Sequence, residues 1–352
     1  MRFYLGVPKL SFAAQAGVPT FIPFHIIEAA RRLPELPAEA AIDPNGFTTL
    51  QFFGSFFEGE HSGAYEGPRP RPPTPLEYVR GLVRAEKAMK RLVWASCQDW
   101  MCEPAVIGGL VEELKKDQKP TRINVRRWLE WARGKGSGLA SAVARAESLG
   151  ARANVVFHGT GLDVPTHQAR TVANFIELRR LAIQEGLQTP IIPVLQGWSL
   201  DDYLQCWRLY EESGVDLRRE PVVGVGSVCR RQGTKEAGEI FVRLAKAGLR
   251  GRMHGFGVKF DGLAYHIDTS DFTYSGDEIV ADLMGSADAQ AEAYRARKQK
   301  ILLPGHDEPG PGRPRGHKNC ANCLPYLLKR RVEMLANIEA KRPPQRSLWG
   351  RS

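Results

Sequence analysis

The sequence predicts an α/β fold closed into a (β/α)8 TIM barrel, and three observations predict it. Short β-rich apolar runs alternate with helical patterns along the chain, the order that gives a parallel sheet with crossover helices. Eight such runs can be counted, the number that closes this barrel. Polar residues recur just after the runs, where the loops of a barrel would bring them to one face. An open doubly wound sheet is the alternative that the alternation alone allows.

Taken in order, the runs are residues 3–7, 40–43, 92–97, 153–158, 190–195, 221–225, 253–258 and 263–267. The first follows only Met1 and Arg2; with no long apolar stretch and no small-residue cleavage site, it reads as a strand and not as a signal peptide. Helical patterns at 74–91, 168–185, 199–212 and 234–247 lie between many of the runs. Residues 59–75 are proline-rich and predict an extended loop, and 304–316 are rich in Pro, Gly and charge. The expected organisation is a catalytic barrel over 1–300, a metal-binding segment with a C-terminal helix packed on the barrel over 301–340, and a basic, frayed tail over 341–352.

At 43% hydrophobic and 25% charged residues, the 352-residue chain has the balance of a soluble globular enzyme. No apolar run approaches the roughly 20 residues needed to cross a bilayer, so a membrane partner is not expected and the cytoplasm is (a host cytoplasm if the chain is virus-encoded). A net charge of +10 implies affinity for polyanions, with basic clusters at 126–127, 218–219, 230–231, 250–252, 295–300 and 329–331. No motif specifies an oligomeric state or partner proteins. Six scattered cysteines do not make a disulfide framework in a chain of this size.

The residues that could carry chemistry are Asp43, Gln98, Asp99, His158, Gln196, the stretch Gly224, Val225, Gly226 and Ser227, and Asp268, each at the end of a predicted strand. Singly each reads as a cap or a turn. Together, at the C-terminal ends of barrel strands, they would form one site. His158 and His254 sit in or beside strands and read as core or pocket-wall histidines; Trp100, Trp198 and Phe272 could stack on bases or simply pack. Cys320 and Cys323, with two residues between them and preceded by His317, have the spacing of thiolates on one tetrahedral zinc, a structural ion when four protein ligands close the site. His306, across the Pro/Gly-rich loop, is the best remaining candidate for the fourth ligand.

Several segments resemble, in order, those of tRNA-guanine transglycosylases and their DNA-acting relatives. They are Ala41-Ile-Asp43-Pro-Asn-Gly46-Phe47, Trp94-Ala-Ser-Cys-Gln98-Asp99-Trp100-Met-Cys-Glu103-Pro104, His167-Gln-Ala-Arg170-Thr171-Val-Ala-Asn174, Pro193-Val-Leu-Gln196-Gly197-Trp198, Ala264-Tyr-His-Ile-Asp268-Thr-Ser-Asp-Phe272 and His317-Lys-Asn-Cys320-Ala-Asn-Cys323. The set is similar to the 7-deazapurine-in-DNA transglycosylases, and it departs from the wider pattern where Pro-Asn follows Asp43 and where Gly305 stands in place of a cysteine. The resemblance implies exchange of guanine in DNA, ahead of tRNA, for a free 7-deazaguanine base such as 7-cyano-7-deazaguanine. It implies Asp268 as nucleophile, with Asp271 its competitor, and Asp43 as acid/base. It also implies Asp99, Gln196, Gly197, Gly224 and Gly226 as base-binding residues. The alternatives are a tRNA-guanine transglycosylase and an inactive, zinc-stabilised nucleic-acid-binding protein. The residue types suit the reaction: a carboxylate can capture an oxocarbenium-like sugar as a covalent intermediate, and a second carboxylate can move the proton of the base.

Overall fold

The computed structural model describes residues 1–53, 72–114, 121–122, 152–157, 159–229, 231, 233–270, 277–289, 291–308 and 318–343. Its strands are, in chain order, β1 (Arg2–Gly6), β2 (Thr20–Pro23), β3 (Ala40–Asp43), β4 (Leu92–Ser96), β5 (Leu110–Leu114), β6 (Thr121–Arg122), β7 (Arg152–Phe157), β8 (Ile191–Ile192), β9 (Val194–Leu195), β10 (Val223–Val225), β11 (Met253–Gly255), β12 (His266–Asp268), β13 (Asp277–Ile279) and β14 (Met284–Ala289). Nine of them form one sheet in the order β8-β4-β3-β2-β1-β14-β11-β10-β9, and every pairing in it is parallel. β8 and β9 are the two halves of one strand, interrupted at Pro193, which has no N–H to give. One half bonds β4 and the other β10, so the ring closes on itself as eight strands. This is the predicted (β/α)8 barrel.

Two of its staves differ from those expected. β2 and β14 belong to the barrel, whereas β7 pairs antiparallel with β5 in a small separate sheet and β12 pairs antiparallel with β13 in a hairpin. The reason is compositional. The sequence of β14, Met-Gly-Ser-Ala-Asp-Ala, has no β-branched or aromatic residue, so strand propensity misses it. Pairing between β1 and β11, with the barrel interior on one face and helices on the other, makes it a strand all the same.

Period-2 alternation then sorts the side chains. Tyr4, Phe21, Ala41, Trp94 and Ile192 pack together as one cluster inside the barrel, and two residues further along these strands come the groups at its C-terminal mouth, among them Pro23 and Asp43. The opposite faces of the strands, with Phe3, Leu5, Ile22, Ala40 and Ile42, join the main core beneath the helices. The helix Pro75–Met89 starts on a Thr74 capping box and buries Tyr78, Val79, Leu82 and Ala85. The helix Leu324–Lys341 packs on β1 and on the helix Ala291–Gln299. Among the described residues, no helix is long and apolar enough to cross a membrane.

Candidate active site

At the C-terminal mouth of the barrel a cavity of about 340 Å³ opens over Phe21 and Phe256, and it is lined by Asp43, Asp99, Gln196, Gly226 and Asp288. Each acidic group comes from a different strand end. Asp43 closes β3, Asp99 follows β4, and Asp288 lies near the end of β14. Phe47, Met101 and Cys229 contribute walls. The volume lies in the range of ordinary small-ligand pockets.

Asp43 is half-buried and accepts the Asn45 N–H at 2.9 Å, an Asx turn that Asn45 completes with a φ of 68°. Burial pushes its carboxyl up from 3.8 to about 7, the Asn45 N–H pulls against that rise, and the negative charge of Asp288 adds to it. Asp99 is buried and is also raised to about 7, first by burial and then by the charge of Asp43, against the pull of the Gln196 amide. The two acids therefore titrate as a coupled pair near neutrality.

Gln196 is held at both ends. Its Nε2 donates to Asp99 Oδ2, and its Oε1 lies 2.7 Å from the Ser227 hydroxyl. Ser227 Oγ accepts the Cys102 N–H at 2.8 Å and lies 3.0 Å from Glu103 Oε2. Gly226 makes room for this arrangement, because a Cβ there would overlap the Gln196 amide. Its own N–H is already given to Leu195 and its carbonyl accepts from Tyr203, so its contribution is space and not a hydrogen bond to a ligand. Gly224 and Gly197 do not line the cavity. A Cβ on Gly224 would meet Phe256 and Val194 in the barrel interior, and one on Gly197 would meet Asp202 and Tyr203 at a helix start.

The loop carrying Asp99 is clamped by the helix Val164–Glu185. Thr171 Oγ1 accepts the Trp100 N–H at 2.9 Å, Asn174 donates to the Gln98 carbonyl at 2.8 Å, and Arg170 lies over the Trp100 ring at 4.6 Å. His167 donates Nδ1–H to the Met101 carbonyl and accepts from Thr160 at Nε2, 2.7 and 2.6 Å away. Burial holds the His167 ring down at about 4, hence neutral. Trp100, fully buried, is thus packing.

Asp268 is not in this cavity. It sits exposed on the β12–β13 hairpin, accepts the Ser270 N–H at 2.9 Å, which holds its carboxyl low, and borders a separate surface groove with Lys235, Arg243 and His266. Asp288, unremarked in the sequence, is the third carboxylate that lines the cavity. The signal available was an aspartate shortly before a helix, at the end of a run too poor in β-formers to look like a strand. Asp271, Phe272 and His158 lie outside the described residues.

His306, Cys320 and Cys323 form a separate cluster whose ligand atoms all lie within 4.8 Å of one another. His306 Nδ1 is 3.5 Å from Cys320 Sγ and 3.3 Å from Cys323 Sγ. A tetrahedral ion with ordinary Zn–S and Zn–N bonds would separate such atoms by about 3.5 Å. The Leu303 N–H points at Cys320 Sγ from 3.4 Å, the outer-sphere support a metal thiolate takes. The cluster could hold a metal ion; His317 lies outside the described residues.

Acids gathered from separate strands around one aromatic-floored cavity, at the face where barrel enzymes do their chemistry, are the layout of a transglycosylase-type enzyme. Compared with known families, the chain belongs to the DpdA family, DeoxyPurine in DNA protein A, which it matches over residues 1–138 and 152–352. Membership gives it a DNA-modifying role in 7-deazapurine insertion. No curated protein matches the chain.

Proposed function

We propose that the protein exchanges a guanine in DNA for a free 7-deazaguanine base, with Asp288, and not Asp268, as the nucleophile. The observation that carries the reading is the convergence of Asp43, Asp99 and Asp288 on one cavity with Gln196. A carboxylate oxygen of Asp288 attacks the sugar C1′ as the C1′–N9 bond breaks, giving a covalent sugar ester and inverting the carbon once. Asp43, raised to about 7, gives its proton to the departing guanine. It then takes the N9 proton of the incoming base, whose nitrogen attacks C1′ and expels Asp288, a second inversion that restores the original configuration.

The Asp99 carboxylate accepts from the N1–H and amino edge shared by guanine and 7-deazaguanine, and the second amide hydrogen of Gln196 Nε2 serves the ring carbonyl. Phe47, 38% exposed at the cavity wall, offers a face on which the flipped base stacks. Exposed Arg297 and Lys300 are left for phosphates. Arg250 and Arg330, by contrast, are spent on Glu278 and on Glu292 and Glu333. Zinc held by His306, Cys320 and Cys323 would brace the segment leading into the helix Leu324–Lys341; His317 is the proposed fourth ligand.

The test is mass spectrometry of nucleosides from DNA incubated with the protein and 7-cyano-7-deazaguanine, alongside the same reaction on tRNA. A 7-deazaguanosine deoxynucleoside that disappears with Asp288→Asn is expected. Incorporation into tRNA alone would overturn the DNA reading, and a fully active Asp288→Asn the nucleophile.

A further inference from the structure

A histidine lies among the aromatic rings of the barrel interior. His254, on β11, is wholly buried. Its ring meets Trp94 at 4.6 Å, Phe256 at 4.8 Å, Phe21 at 5.5 Å and Tyr4 at 6.0 Å between centroids. An imidazole in such a cage is unfavourable unless its nitrogens are satisfied. Nδ1 is, at 2.9 Å from Ser286 Oγ. Nε2 lies 3.3 Å from Asp288 Oδ1, close enough for an ion-pair contact but not aligned as a hydrogen bond. Neither His254 nor Ser286 lines the cavity, so neither touches a base or sugar there.

We infer that Ser286 and His254 form a buried chain that positions Asp288, fixing Oδ1 and leaving Oδ2 as the oxygen that attacks the sugar. The inference rests on Asp288 being the nucleophile. β14 presents Ser286 and Asp288 on one face, two residues apart, and β11 pairs alongside with His254 opposite Ser286, so the three groups meet by register. With its hydrogen on Nε2, the imidazole accepts the Ser286 hydroxyl at Nδ1 and donates toward Asp288. The other tautomer would set a bare nitrogen lone pair against a carboxylate. Oδ1 already accepts the Gly257 N–H at 2.9 Å, so its two donors come from one strand end.

The chemistry follows from that asymmetry. The Gly257 N–H holds Oδ1, and the His254 Nε2–H, 3.3 Å away, would join it on a small shift, fixing the carboxylate plane and turning Oδ2 to the cavity. Once Oδ2 has bonded to C1′, Oδ1 is the ester carbonyl oxygen. When the incoming base displaces the ester, charge returns to the carboxylate and both donors stabilise it, so Asp288 leaves more readily.

The experiment uses the full-length protein, labelled guanine and plasmid DNA. The variants His254→Phe, which fills the cage without a donor, and His254→Gln, whose amide nitrogen reaches the same point, are compared by kcat, by KM for guanine and by yield of an SDS-stable DNA adduct. One hydrogen bond to a charged group corresponds to a loss of roughly 10–100-fold in kcat for His254→Phe, with KM for guanine unchanged and most of the rate recovered in His254→Gln. A folded His254→Phe protein with wild-type kcat overturns the inference, as does a loss confined to KM or a His254→Gln protein no better than His254→Phe. Should His254→Phe not fold, Ser286→Ala reads the same chain. A reduced kcat at steady KM supports the inference and an unchanged kcat overturns it. Asp288→Asn separates the two layers: an adduct formed without Asp288 sinks the nucleophile reading itself, whereas its loss beside a fully active His254→Phe sinks only the positioning chain.

Discussion

Replacing Asp99 with Asn is expected to stabilise the folded protein while disabling it, by an amount that grows with pH. Asp99 is 8% exposed, and burial, reinforced by the charge of Asp43, raises its carboxyl from 3.8 to about 7. A folded-state value above the unfolded one means that the fold holds the proton more tightly. Stability is therefore intact at low pH and is lost as pH rises from the unfolded to the folded value. At about 1.4 kcal/mol per pH unit, the buried charge costs about 4 kcal/mol above neutrality and about 1.5 kcal/mol near pH 5. Asn never ionises and keeps an oxygen for Gln196 Nε2. Burial, the larger cause, is relieved in full by the substitution, so the gain at pH 8 should approach that upper figure, on the order of a few kcal/mol, or several degrees in Tm for a chain of this size. Thermal unfolding of both proteins from about pH 4 to 8 measures the difference curve. A gain that does not change with pH, or a loss of stability at the alkaline end, would refute the account of Asp99 as a buried acid titrating near neutrality.

Four further outcomes are expected. Asp288→Asn should abolish the SDS-stable DNA adduct, while Asp268→Asn, altered only at an exposed hairpin, should keep exchange within about twofold of wild type; gel shift and nucleoside mass spectrometry read both. The kcat/KM for DNA should trace a narrow bell centred near pH 7, falling on the acid side as Asp99 gains its proton and on the alkaline side as Asp43 loses its own; a flat profile from pH 6 to 8 would count against the pair. Gly226→Ala should push the Gln196 amide aside and raise KM for the free base at least about tenfold, the worth of one disturbed hydrogen bond to a charged group, seen in steady-state exchange. Cys320→Ser or a strong chelator should release bound metal, measured by elemental analysis, and lower Tm by several degrees through loss of a cross-link that adds folding free energy.

The sequence by itself determined the barrel class and set Asp43, Asp99 and Gln196 at strand ends, because runs of β-formers have a period and composition that are local properties, and its ordered motifs carried the family resemblance. It determined the cysteine pair for the same reason: two thiols with two residues between them need no knowledge of the rest of the chain. Tertiary structure alone decided which runs become staves. β14 is a barrel strand because closure of the ring requires a partner between β1 and β11, and its Gly, Ser and Ala fit the crowded interior that its own propensity would not choose. The run ending at Asp268 has strand-forming residues but pairs with a hairpin partner outside the ring. A conspicuous aspartate thus falls on the surface and an inconspicuous one falls in the cavity. The same holds for His254: nothing near it in sequence marks it out, and only the register of β11 against β14 sets it beside Ser286 and within reach of Asp288. Propensity is summed along the chain, whereas convergence of side chains is set by strand register across it, and only the second brings three carboxylates from three strands around one cavity.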